Sequence, residues 1–298
     1  MSRLACLLLV AAAAGCDSVG KSLEKIGAKK VESETGVSTE TMVKTAKALT
    51  KSLEEITPEQ EYYIGRAVAA EILAQEAVLE DDALTAYVNR VGQTVAQASG
   101  RPDVFGGYHV ILLETDDVNA LAAPGAFLFV TRGLLRQCRT EDELAAVLAH
   151  EVIHIERQDG IRMIRQSERF QALVDLGLEA ALESGDVAVL REALGKMASE
   201  LATTLLTSGY SRSIESDADL RALALLDRVG YRPAALKELV ARLDAAAGAT
   251  KGSSLFASHE SLGQREEALS KELTRYSERP EAPARQARFE AAFASARG

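Results

Sequence analysis

The five residues His150-Glu151-Val152-Ile153-His154 constrain this chain more than any other stretch. On an α-helix, positions i and i+4 lie about 40° apart around the axis, so both imidazoles leave the same face. Such a pair supplies two corners of a tetrahedral Zn²⁺ and leaves room for a water. Glu151 then stands where it can accept the proton of that water, which is the chemistry an H-E-x-x-H pattern encodes. The surroundings predict the helix. Thr140 and Glu143 have capping-box spacing, and Leu144, Val147, Leu148, Val152 and Ile155 wrap the motif in apolar side chains. A helix this apolar is predicted to be buried, and two His and a Glu inside it need a partner that offsets their burial.

A chain of 298 residues can bury a substantial core, and one or two domains are expected. The formal net charge of −10, with no dense basic cluster, argues against nucleic acid as a partner. The one apolar run of note is at the start. Arg3 precedes the stretch Leu4 to Ala14, too short to span a bilayer, and Ala13-Ala14-Gly15-Cys16 follows with small residues leading into a Cys. This resembles the lipobox of bacterial lipoproteins, which implies that residues 1–15 are a signal peptide and that Cys16 carries lipid. An ordinary secretory signal with an incidental Cys is the alternative. The expected location is the bacterial cell envelope, lipid-anchored and facing the periplasm. Asp17 after the Cys resembles an inner-membrane retention signal of enterobacterial lipoproteins. Cys6 leaves with the signal, so Cys138 has no partner within the mature chain. A multi-Cys zinc site is excluded, and the metal must rely mainly on His and carboxylates.

Residues 16–56 are polar and read as a tether with a leading helix. Thr57-Pro58-Glu59-Gln60 is a helix start, and that helix is predicted to run towards Ala77. A second follows Asp81-Asp82 and carries Leu84, Tyr87, Val88, Val91 and Val95. Tyr108 to Leu113 and Ala126 to Val130 are β-rich runs separated by Asn119 and Pro124-Gly125, predicting strands of one small sheet ahead of the motif. After Gly160 the pattern is helical, with breaks near Gly185 and Gly209. Ser211 can cap a helix that ends at Gly230, and more helices follow Pro233 around a loop at Gly248–Ser254. The fold class is therefore α+β and mainly helical, with a domain over residues 57–279. Residues 280–298, rich in Ala, Arg and Glu, are expected to be a loosely packed tail.

A catalytic zinc needs a third protein ligand, and the candidates are His109, His259 and the carboxylates. In Glu215-Ser216-Asp217-Ala218-Asp219 the first and last carboxylates share a helix face. One of them can bind metal while the other takes the remaining N–H of a ligand His. A solvated acidic face is the commoner fate of such a run. His109, in a strand, reads as structural.

Several stretches together resemble the zinc peptidase family containing the HtpX, BepA and LoiP types, relatives of the CAAX prenyl endopeptidases. They are Thr57-Pro58-Glu59-Gln60-Glu61 with Gly65-Arg66, Tyr87-Val88-Asn89-Arg90-Val91-Gly92, and Asn119-Ala120 with Pro124-Gly125 and Gly133-Leu134. Glu143 to Ala149 then run into the motif, and Ser211-Arg212 precede an E-x-x-A-D pattern at Glu215–Asp219. The resemblance implies a gluzincin-type domain with one Zn²⁺ per chain, Glu215 as the third ligand and Asp219 as support. Two departures stand out. Ala126 replaces a common second Gly, and His259 is followed by Glu260 where members often have His-Pro, with Arg265 in the matching Arg place.

The implied activity is endopeptidase cleavage of unfolded or mis-assembled envelope proteins, with Glu151 as general base and Arg212 or His259 as transition-state or gating helpers. Strand Ala126–Val130 would hold an extended substrate by edge pairing. The alternative is a lipoprotein chaperone or assembly factor with a closed zinc site and little proteolysis.

Overall fold

A computed structural model describes residues 56–166, 188–247 and 262–294. The chain divides into two compact units, residues 61–161 with 201–298 and residues 1–60 with 162–200. In the second of these, the described segments are helical, and Thr57 and Gln60 form a reciprocal cap: Gln60 N–H donates to Thr57 Oγ1 and Thr57 N–H to Gln60 Oε1.

The helices are α1 (Pro58–Gln75), α2 (Asp82–Ala96), α3 (Arg132–Gln137), α4 (Glu141–Glu156) and α5 (Asp159–Gln166). They continue as α6 (Ala188–Thr207), α7 (Arg212–Val229), α8 (Ala234–Ala247), α9 (Leu262–Leu273) and α10 (Pro283–Phe293). The strands are β1 (His109–Leu113), β2 (Ala120–Ala123) and β3 (Phe127–Thr131). The α+β, mainly helical reading holds.

In the larger unit α4 is the central element. Every residue from Glu141 to Ile155 is buried, and α2, α7, α8 and β2 all pack on it. Its start is as the sequence predicts: Thr140 Oγ1 accepts the Glu143 N–H at 3.2 Å, while Glu143 reaches back to the N–H of Arg139. Asp81 caps α2 in the same way, and Gly230 ends α7 in the left-handed conformation. Ser211 does occupy the N-cap position of α7, but its hydroxyl makes no capping bond.

Two sequence expectations need correction. Among the described residues the sheet has three strands in the order β1-β3-β2, with β1 parallel and β2 antiparallel to β3. The stretch Phe127–Thr131 is thus the central strand and cannot hold a substrate by edge pairing. The missed strand is Ala120-Leu121-Ala122-Ala123, whose Ala content gives it little β signal. One outer edge, β1, is already engaged: the Asn89 side-chain amide pairs with both backbone groups of Val110, and Leu79 N–H donates to Leu112 O.

Within the stretch 280–298, the described residues 283–293 are a helix and not a loose tail. Helix α10 buries Phe289 and Phe293 fully in the core, with Phe293 against the Tyr87 ring. It also aims Arg285 and Arg288 at Asp142 and Glu141, in the first turn of α4. The stretch reads as polar because two Phe spaced i, i+4 were diluted by Ala and Arg, yet that spacing puts both rings on one face.

Candidate metal centre

The site forms where α4 and α7 cross. The i, i+4 spacing brings the rings of His150 and His154 to one face, with Nε2 atoms 3.1 Å apart. From the first turn of α7, Glu215 places Oε2 3.1 Å from His150 Nε2 and Oε1 3.6 Å from His154 Nε2. All three residues are buried, and their ligand atoms lie within 4.8 Å of one another. Ligands about 2.0–2.2 Å from a tetrahedral metal are separated by about 3.3 Å, which these distances match. The donors present therefore fit a metal ion bound through two imidazoles and one carboxylate.

The neighbouring side chains are as specific. Asp219, one turn beyond Glu215, places Oδ1 3.0 Å from His150 Nδ1. Arg265 from α9 donates to both Asp219 oxygens at 2.7 Å. Burial alone would raise the Asp219 pKa, but the Arg265 guanidinium and the His150 ring together outweigh it and hold the carboxyl down at about 2. Burial likewise opposes charge on His150, yet Asp219 and Glu215 raise its pKa to about 10 when no metal is bound. Glu151 behaves differently. Its pKa is pushed up to about 7, chiefly by burial, and its Oε2 has no hydrogen-bond partner among the described residues. A buried carboxylate with one unpartnered oxygen, next to the two candidate ligand His, is placed to take up a proton.

The Tyr210 ring stacks on His154 at 4.4 Å, and its hydroxyl donates to Ala122 O of β2 at 3.1 Å. Sequence reasoning missed both Tyr210 and Asp159, whose Oδ2 lies 3.0 Å from His154 Nδ1. Neither falls in the H-E-x-x-H or E-x-x-A-D pattern, and only folding brings them to His154. Arg265 was visible only as a match to a terminal Arg. Of the other sequence candidates, Arg212 is exposed at the start of α7, outside the buried cluster. His109 is exposed and bonds through Nε2 with Gly106 O, a structural role. His259 and Cys16 lie outside the described residues.

The sequence model of peptidase family M48 matches residues 82–273, a span that contains every member of this cluster. The chain belongs to peptidase family M48. The M48 match begins at α2 and ends with α9, so α1 and α10 lie outside it. The chain is 34% identical over 174 residues to the mitochondrial metalloendopeptidase OMA1 of Schizosaccharomyces pombe, covering 58% of this chain and 48% of that one. It is 28% identical over 197 residues to a beta-barrel assembly-enhancing protease of Yersinia pestis, covering 62% and 38%. To the protein of that name in Escherichia coli K12 it is 26% identical over 189 residues, covering 62% and 37%. The chain thus spans about half or less of the length of these curated relatives. At the Pro124-Gly125 turn, where Ala126 stands in place of the common Gly, the backbone keeps a left-handed φ of 65°.

Proposed function

We propose that this chain is a zinc-dependent endopeptidase of the bacterial envelope that cleaves unfolded or mis-assembled envelope proteins. One observation carries the reading: His150, His154 and Glu215 converge as a metal-ligand set with the unpartnered Glu151 carboxylate beside them. A binding module would have no use for that carboxylate. Zinc held there would supply Lewis acidity towards a peptide carbonyl and acidify a water. Glu151 accepts the water's proton and delivers it to the leaving amine nitrogen. Asp219, itself held by Arg265, orients the His150 ring. The envelope location and the substrate class rest on the lipobox-like start and on relatives named for β-barrel assembly.

A specific feature favours the second reading, a chaperone or assembly factor with little proteolysis. His150, His154, Glu215 and Glu151 are all at most 3% exposed, so access to the site is narrow. One experiment separates the two. Purified protein is incubated with an unfolded polypeptide, with and without a chelator, alongside Glu151→Gln and Glu215→Ala. Chelator-sensitive cleavage, lost in Glu151→Gln although zinc stays bound, supports the peptidase. Stoichiometric zinc on Glu215→Ala would remove the ligand assignment, and absence of cleavage by zinc-loaded wild-type protein would favour the assembly factor.

A further inference from the structure

Each histidine of the centre faces a buried carboxylate with its Nδ1, although only one of these carboxylates lies in a recognisable motif. His150 turns its Nδ1 towards Asp219, at 3.0 Å, and His154 turns its Nδ1 towards Asp159, also at 3.0 Å. Asp159 is fully buried. An imidazole that donates from Nδ1 to a carboxylate must present the lone pair of Nε2 on its other side. For His154 that side faces His150 Nε2 and Glu215, so the carboxylate selects the tautomer that a metal can use.

The backbone around Asp159 is arranged to aim it. Helix α4 ends at Glu156, and Gln158 takes a φ of 55°, which turns the chain back towards His154. L-residues rarely adopt this conformation without outside support. The support is visible: Gln158 Nε2 donates to the buried Glu61 at 2.6 Å, and Arg101 holds the same carboxylate at 3.0 Å. Arg157 compensates the charge of Asp159, donating from Nε at 3.2 Å, and pairs through Nη1 with Asp217. Asp217 lies between Glu215 and Asp219 on α7, so one guanidinium joins the support of His154 to the helix that carries the third ligand.

We propose that Asp159 is a positioning residue for the metal centre, fixing the tautomer and ring orientation of His154 as Asp219 does for His150. The inference rests on the zinc reading above.

Its test is a zinc titration against a chromophoric chelator, paired with thermal unfolding of the zinc-free proteins. The proteins are wild type, Asp159→Asn, Asp159→Glu and Glu215→Ala. Asp159→Asn should bind zinc about ten- to a hundredfold more weakly, the usual size of such support, a loss larger than any fall in the zinc-free midpoint explains. Asp159→Glu should recover part of the affinity and shift the visible spectrum of the cobalt-substituted protein. Wild-type zinc affinity in Asp159→Asn, with zinc lost in Glu215→Ala, would overturn the role of Asp159 and leave the centre standing. A zinc-free midpoint that falls in step with affinity would reduce Asp159 to a structural residue. If Asp159→Asn does not fold, an unaltered cobalt spectrum in Asp159→Glu overturns the proposal. Wild-type protein that binds no zinc would sink both readings.

Discussion

Arg265 and Asp219, 46 residues apart in sequence, form a buried two-point ion pair, with both bonds at 2.7 Å. Asp219 in turn faces His150, so a guanidinium from α9 reaches the candidate metal centre through a single carboxylate.

Removing one partner of this pair leaves the other charge buried without compensation, which typically costs about 3–5 kcal/mol. Arg265→Gln should therefore lower the urea midpoint and weaken zinc binding together. The double variant Arg265→Gln/Asp219→Asn should recover part of the stability but none of the zinc affinity. A single variant as stable as wild type would show that the pair is not formed.

Glu151→Gln keeps the shape of the side chain and removes its proton acceptor. Peptide cleavage should fall by about a hundred- to ten-thousandfold, the range of general-base contributions, while zinc content and the unfolding midpoint hold. Cleavage at the wild-type rate would refute the assigned proton route.

Helix α10 should be part of the folded domain. Phe289 and Phe293 are fully buried and stack on each other at 4.2 Å. Phe289→Ala is expected to cost about 3–5 kcal/mol, the range for a core Phe. Ending the chain at residue 279 would also strip Arg285 and Arg288 from Asp142 and Glu141, and should destabilise it further. Chemical unfolding decides the matter: a truncated chain of wild-type stability would restore the picture of a loose tail.

Acid should weaken the same contact. Burial works to raise the pKa of Glu141, but Arg288, Tyr87 and Tyr231 outweigh it and hold the carboxyl below its ordinary value. A carboxylate whose folded pKa lies below the unfolded value, about 4.3 for Glu, contributes its full stability above the unfolded pKa. The contribution fades as pH drops from there through the folded value. Wild-type protein should therefore lose more stability than Glu141→Gln on acidification from about pH 5 to pH 3, measured by urea unfolding. Parallel curves would rule this out.

The envelope assignment is tested at Cys16. If this residue is acylated, the chain partitions with membranes, since each buried CH₂ of an acyl chain contributes about 0.8 kcal/mol. Cys16→Ser should release the protein or leave an uncleaved precursor. A wild-type N-terminal peptide without lipid mass would count against the anchor.

The sequence by itself determined the parts of this site that follow from helical periodicity. H-E-x-x-H on an apolar helix sets His150 and His154 on one face with Glu151 beside them, because the helix repeats every 3.6 residues. Glu215 and Asp219 share a face for the same reason, and Thr140, Asp81 and Gly230 mark helix ends through local hydrogen bonding. Tertiary structure alone decided what periodicity does not encode. Residues 120–123 became a strand, displacing 127–131 from the edge, because strand order follows from packing against α4 and not from β propensity. Tyr210 and Asp159 reached His154, and Arg265 reached Asp219, through chain reversals that no spacing rule predicts. The two Phe of α10 found the core because a side chain's burial depends on the surface that other elements leave open for it.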